Sequence, residues 1–279
     1  MYNVAVFAAV VAALVHPVAG HTAVEKVVID GNPYQGFYGD LKTPLPADSP
    51  AWHTNQGTGW QPVKGDSINK PDIIAHIDAE PSPNTAKARA GSEVTFHWSR
   101  RGICKEESNA DPEVGWDCSH HGWTTTYLAP CNDDCAKVDK TQLKFFKIHE
   151  SAMLGYPEGT RYAKGQPRGW VGKWGTDAIF YDNGNNQTVT LPGKIPSGNY
   201  TLRTEVASIH NNGPISERQI WPQAFNIRIT DGADNAQVPE GVLGTAIYKT
   251  TDELLTMDLY DHEPNNLIKK APGPALYTE

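Results

Sequence analysis

The sequence predicts an all-β protein, an immunoglobulin- or fibronectin-like sandwich with long loops. Three observations carry that prediction. Short alternating or β-branched segments recur along the chain, Gly, Pro, Asn and Asp turn signals separate them, and no long stretch repeats its apolar residues at a helical period. Val24 to Asp30 reads as a strand that ends in the turn Asp30-Gly31-Asn32-Pro33. Glu93 to Trp98, Trp123 to Leu128, Leu143 to Ile148, Gln187 to Leu191, Tyr200 to Ile209 and Ala224 to Thr230 follow the same habit. Between them, Tyr34 to Asn69, Arg101 to Asp117 and Ala152 to Thr176 read as long loops, which on a rigid sandwich are usually functional or mobile.

Ahead of the first strand, Val4 to Val15 is an apolar run of about 12 residues, too short for a membrane helix, which needs roughly 20. The small residues Val18 and Gly20 flank a signal-peptidase site, although no Lys or Arg precedes the run. Residues 1–20 are therefore expected to be a signal peptide, and residues 21–279 a single β-sandwich domain with no second module. Cleavage after Gly20 makes His21 the first residue. Cleavage a residue or two away leaves it an ordinary surface histidine. No later stretch is apolar enough to span a bilayer, so the mature protein is expected to be secreted and soluble.

A formal net charge of −8 argues against nucleic acid and anionic membranes as partners. Four cysteines in a secreted chain are expected to form disulfides, with three possible connectivities. The close pair Cys131 and Cys135 is expected to bond locally, leaving Cys104 with Cys118. An oxidising compartment and the lack of C-x₂-C spacing weaken a zinc reading. Asn186-Gln187-Thr188 and Asn199-Tyr200-Thr201 are N-glycosylation sequons at strand edges.

The chemistry-bearing candidates are histidines. A first-position His21 offers a metal two nitrogens, its free α-amine and an imidazole. The cluster Ser119-His120-His121-Gly122 precedes a predicted strand. Copper(II) favours tetragonal nitrogen sites. Amine and imidazole from His21, closed by one imidazole from another strand, make a T-shaped three-nitrogen site with open positions for oxygen. The amine must lose its proton to bind, and an α-amine pKa of roughly 8 makes that easier than for lysine. Taken alone, His120 or His121 reads as a satisfied surface histidine.

The wider sequence resembles the fungal copper-dependent lytic polysaccharide monooxygenases of auxiliary activity family nine. The segments that carry the resemblance are His21 with Val27-Val28-Ile29-Asp30-Gly31, Pro71-Asp72-Ile73-Ile74, Ser119-His120-His121-Gly122 running into Tyr127-Leu128-Ala129-Pro130-Cys131, and Val138 to Ile148. Pro196 to Glu205, Gln219 with Pro222-Gln223, and Pro272 to Tyr277 complete it. It covers nearly the whole mature chain in order. The resemblance implies one Cu(2+) per chain held by His21 and His120, with His121 the neighbour that varies. It also implies that His210 and Gln219 hydrogen-bond oxygen species beside the copper, where a donor or acid can orient the oxidant and supply a proton.

Three departures stand out. Where the family places an axial tyrosine, this chain has Trp221; an indole N–H only donates, so Trp221 cannot be a ligand. It can still pack over the metal or act as a redox-active aromatic. The two cysteines of the family's long-range disulfide fall on Ala75 and Ala224, both absent together, while Cys104 and Cys118 pin the acidic insert of Glu106, Glu107, Asp111, Glu113 and Asp117, expected near the copper face. The late tyrosine of the flat cellulose-binding face falls on Lys269, with Trp170, Trp174, Phe37 and Tyr38 as other candidate sugar platforms.

The function implied is oxidative cleavage of a β-linked glucan, cellulose by default and hemicellulose as an open choice. O2 or H2O2 would be co-substrate and an external reductant the electron donor, acting on a monomer. The alternative is a non-oxidative copper- or carbohydrate-binding protein on the same scaffold, because of Trp221. Hydrolysis by two carboxylates ranks third, since no acid/base pair can be picked out by spacing.

Overall fold

The computed structural model describes residues 22–36, 47–54, 61–99, 116, 119–164, 171–261 and 267–279. His21, Phe37, Tyr38, Cys104, Cys118, Trp170 and the acidic residues of the insert lie outside the described residues.

In chain order the strands are β1 (Val24–Ile29), β2 (Asn32–Gln35), β3 (His53–Thr54), β4 (Val63–Lys64), β5 (Ala79–Glu80), β6 (Ala86–Arg89), β7 (Glu93–Trp98), β8 (Thr124–Pro130), β9 (Lys144–Ser151), β10 (Met153–Gly155), β11 (Lys173–Trp174), β12 (Asn186–Thr190), β13 (Gly198–Ser208), β14 (Gln219–Thr230) and β15 (Val242–Leu243). They build the expected all-β sandwich. One sheet runs β12-β7-β1-β2; the other runs β15-β9-β8-β13-β14-β4, with β6 parallel to β14.

The cores follow from the alternation of side chains along each strand. Val27 and Ile29 of β1, Val94 and Phe96 of β7, and Val189 of β12 meet Leu202, Val206, Trp221 and Phe225 of the large sheet. The opposite face of the large sheet is buried too. There Tyr127, Phe145, Ile220 and Ala224 pack beneath the helix α1 (Asp72–Ala75) and the segment around Leu254 and Leu255. That double coverage explains why β13, from Tyr200 onward, and β14, from Ile220 to Ile227, have no exposed face. Ala75 and Ala224 both lie fully buried in this second core, where two alanines fill space in place of a bridge.

Most strand ends shift by a few residues from the sequence expectation, and two of the shifts have a clear physical reason. The first turn is only Asp30-Gly31, with φ of 48° and 80°; these positive values suit a two-residue hairpin. Asn32 and Pro33 belong to β2, and Pro33 is tolerated there because β2 is an edge strand. Strand β14 starts at Gln219, five residues before the expected Ala224, because Trp-Pro reads as a breaker. Among the described residues, the outer edge of β14 is paired at Gln219 and Ile220, then again from Ala224 onward. Pro222 falls in the gap. The expected loop from Ala152 to Thr176 contains the ribbon of β10 and β11.

Candidate metal centre

The centre lies where β13 ends, β14 begins and the chain enters β8. The main chain of residues 120–122 is held there by hydrogen bonds. Ile209 N–H donates to the His121 carbonyl at 2.9 Å, and the Thr176 hydroxyl donates to the His120 carbonyl at 3.1 Å and accepts from Gly122 N–H at 3.0 Å. A Cβ on Gly122 would sit 2.1 Å from the Ala207 carbonyl oxygen. Glycine is therefore required for the segment to lie this close to β13.

His120 and His121 part company here. His121 Nδ1 lies 3.0 Å from both oxygens of the buried Asp177 carboxylate, which also accepts from Trp174 N–H at 2.8 Å. It is an orienting, structural histidine. His120 is 6% exposed, and its ring stacks on that of His210 with centroids 3.8 Å apart and planes 23° apart. His210 Nδ1 is 2.6 Å from the Ser208 hydroxyl, which fixes its ring.

Behind the imidazoles stands an aromatic wall. Trp116 meets His120 edge-on at 5.2 Å and Trp221 edge-on at 5.2 Å, and stacks on Phe180 at 4.4 Å. Trp221 is fully buried, with its ring 6.1 Å from that of His120. Such edge-to-face contacts are each worth roughly 0.5–1.5 kcal/mol beyond the area they bury. Gln219 and Gln223 share the strand face of Trp221 by alternation. Gln219 is half-buried and stands beside Ser208 across the strand pair. Gln223 accepts from Val24 N–H at 2.8 Å, while Thr22 donates to the Ser99 carbonyl at 2.7 Å. Val24 is thus bound to β14 two positions from Trp221, and Thr22 to Ser99 just after β7.

The donor chemistry fits copper: imidazoles in a dry, aromatic setting suit it better than they suit oxygen-seeking cations. Among the described residues, no three His, Cys, Asp or Glu side chains converge on one point.

Other sequence candidates scatter. Cys131 and Cys135 form a disulfide. Asn186 opens the edge strand β12, and Asn199 in β13 donates to the Asp133 carbonyl. Lys269 is exposed. Trp174 is fully buried and donates through Nε1 to the Val171 carbonyl at 2.6 Å; it is core and cannot serve as a sugar platform. Sequence reasoning missed Trp116, Phe180, Ser208 and Arg218. The available signals were slight: a tryptophan at the edge of the insert, a serine two residues before His210, and an arginine next to Gln219.

A β-sandwich that gathers imidazoles at one loop-rich end defines the kind of protein this is, and comparison supplies the family. The sequence profile of Auxiliary Activity family 9 (formerly GH61) matches residues 21–267. The chain is 38% identical over 262 residues to AA9 family lytic polysaccharide monooxygenase B of Aspergillus fumigatus, covering 93% of this chain and 92% of that protein. It is 36% identical to AA9 family lytic polysaccharide monooxygenase A of Thermoascus aurantiacus, covering 92% of this chain and all of the relative. The extended catalytic domain of H. jecorina LPMO9A superposes with a TM-score of 0.74 at 32% identity, over 92% of this chain and 90% of the other. The chain belongs to Auxiliary Activity family 9, and it is a copper-dependent polysaccharide monooxygenase.

Proposed function

We propose that the mature chain begins at His21 and forms one domain, and that the α-amine and imidazole of His21 together with the imidazole of His120 hold one copper ion. The observation that carries this reading is the setting of His120, a buried imidazole walled by Trp116 and Trp221 with His210 stacked beside it. The anchoring of Val24 to Gln223 of β14 and of Thr22 to Ser99 supports a first residue at that corner. Bound copper would supply one-electron chemistry that, with an external electron donor and O2 or H2O2, hydroxylates a glycosidic C–H bond so that the sugar chain breaks.

The remaining roles fall to the protein. Ser208 engages Nδ1 of His210, so a proton passed by His210 would travel through Nε2. Gln219, across the strand pair from Ser208, orients the oxidant by hydrogen bonding. Trp221 packs against the site without ligating. The protein acts as a secreted monomer; among the described residues no helix is long and apolar enough to cross a membrane.

The substrate is a β-linked glucan. Lysine at position 269 gives charge and hydrogen bonds where an aromatic ring would stack on a sugar face, and Trp174 offers no replacement. Hemicellulose therefore stands beside cellulose as substrate. The test is mass spectrometry of soluble products from copper-loaded protein on cellulose, xyloglucan and glucomannan, with and without ascorbate. Oligosaccharides carrying one extra oxygen, formed only with copper and ascorbate, are expected. Only unmodified sugars or none on every substrate would instead favour a non-oxidative binding protein on this scaffold.

A further inference from the structure

We propose that Arg218 is a positioning residue for His210 and that, through it, the segment around α2 (Glu253–Thr256) sets the geometry of the copper site. The inference rests on the reading of His210 given above. Arg218 is 1% exposed, and every hydrogen bond of its guanidinium described here goes to a main-chain carbonyl. Nη1 donates to the carbonyls of Ile209, at 3.1 Å, and Asn211, the two residues flanking His210. Nε donates to Leu255 at 3.1 Å and Nη2 to Met257 at 2.6 Å. One planar group therefore grips the peptide on both sides of His210 and ties it to the far segment.

A second lacing runs parallel on the surface. Asn212 donates to the Asp258 carboxylate and accepts from Leu259 N–H. Beneath Arg218 the packing leaves no slack: a Cβ on Gly65 would lie 1.8 Å from the Ile215 carbonyl oxygen and 3.2 Å from Arg218 Cβ. His210, pinned also by Ser208, is thus held at 3.8 Å from His120 by its neighbours' main chain. Only arginine has the fork for this; a lysine ammonium presents its donors from one point and cannot bridge two pairs of carbonyls.

Burying a guanidinium costs free energy that an apolar side chain here would avoid, so the arrangement can be tested as more than a staple. Three variants answer it: Arg218→Lys, His210→Ala and the double variant, each copper-loaded and assayed for reductant-driven peroxide formation. Amide hydrogen exchange over residues 208–212 of the metal-free protein supplies an independent readout. Arg218→Lys is expected to lower the rate about tenfold, the scale of losing an orienting partner, and to speed exchange at residues 209–212. In the His210→Ala background it should change the rate less than twofold, because both act through one group.

Asn212→Ala, an exposed change that leaves the core intact, should shift rate and exchange the same way but less. An unchanged rate in Arg218→Lys, or an equal loss in both backgrounds, overturns the proposal. A normal rate in His210→Ala alone would instead overturn the role given to His210.

Discussion

At the scale of single residues, two of the ten histidines illustrate how neighbours decide chemistry. His120 and His121 are adjacent in sequence, yet one faces aromatic edges and His210 while the other is locked to Asp177. His120→Ala should weaken copper binding roughly 100-fold or more, measured by calorimetry. His121→Gln should act mainly on stability; equal copper affinity in the two variants would contradict this division of roles. Trp221 makes a sharper case. Replacing it with Tyr or Phe should cost about 1–2 kcal/mol through lost packing against Trp116, read from urea unfolding. Only the tyrosine brings an oxygen, so only Trp221→Tyr should change the copper hyperfine splitting in electron paramagnetic resonance. A matching change in Trp221→Phe would show that packing alone governs the metal. The family resemblance pointed to His120, His210, Gln219 and Trp221, and the structure sets the rings of His120, His210 and Trp221 side by side. Trp116 and Arg218 were not legible in the sequence, because their importance comes from contacts across the fold: an edge against His120, and carbonyls nearly forty residues away at Leu255 and Met257.

At the scale of elements, strand existence was legible and strand ends were less so. Alternation marks β7 and β12 cleanly, since each has one covered face. It fails along β13 and β14, which are covered on both, and it stops at Pro222 although the strand does not. The short helix α1 carries a titration that the sequence hides. His76 caps it, fully buried, and its Nδ1 accepts from Ile77 N–H at 2.8 Å, so that nitrogen carries no proton. Burial pushes its pKa down to about 4. An unfolded histidine titrates near 6.5, so below that pH the unfolded chain takes up a proton that the folded one refuses. Stability should be flat above about pH 7 and fall by roughly 3 kcal/mol between pH 6.5 and 4. Burial lowers His149 in the same direction. Urea midpoints that fail to fall over that range would contradict the neutral, buried state of His76.

At the scale of the whole molecule, the sandwich separates duties. The two cores fix β13 and β14 rigidly, and the ends of those strands present Ser208, His210, Gln219 and Trp221 as one constellation. The chain's first described residues are drawn onto the same corner by Gln223 and Ser99. On the proposed reading, cleavage of the leader would be a chemical event, because the α-amine of His21 would become a metal ligand only once His21 is terminal. Copper affinity of the chain beginning at His21, compared with the same chain carrying one extra alanine ahead of it, tests that claim directly. The extension turns the amine into an amide and moves the free amine one residue away. Affinity should fall by roughly two orders of magnitude, with loss of the three-nitrogen signature in electron paramagnetic resonance. Equal affinity and an unchanged spectrum in the extended chain would mean that the copper is held elsewhere.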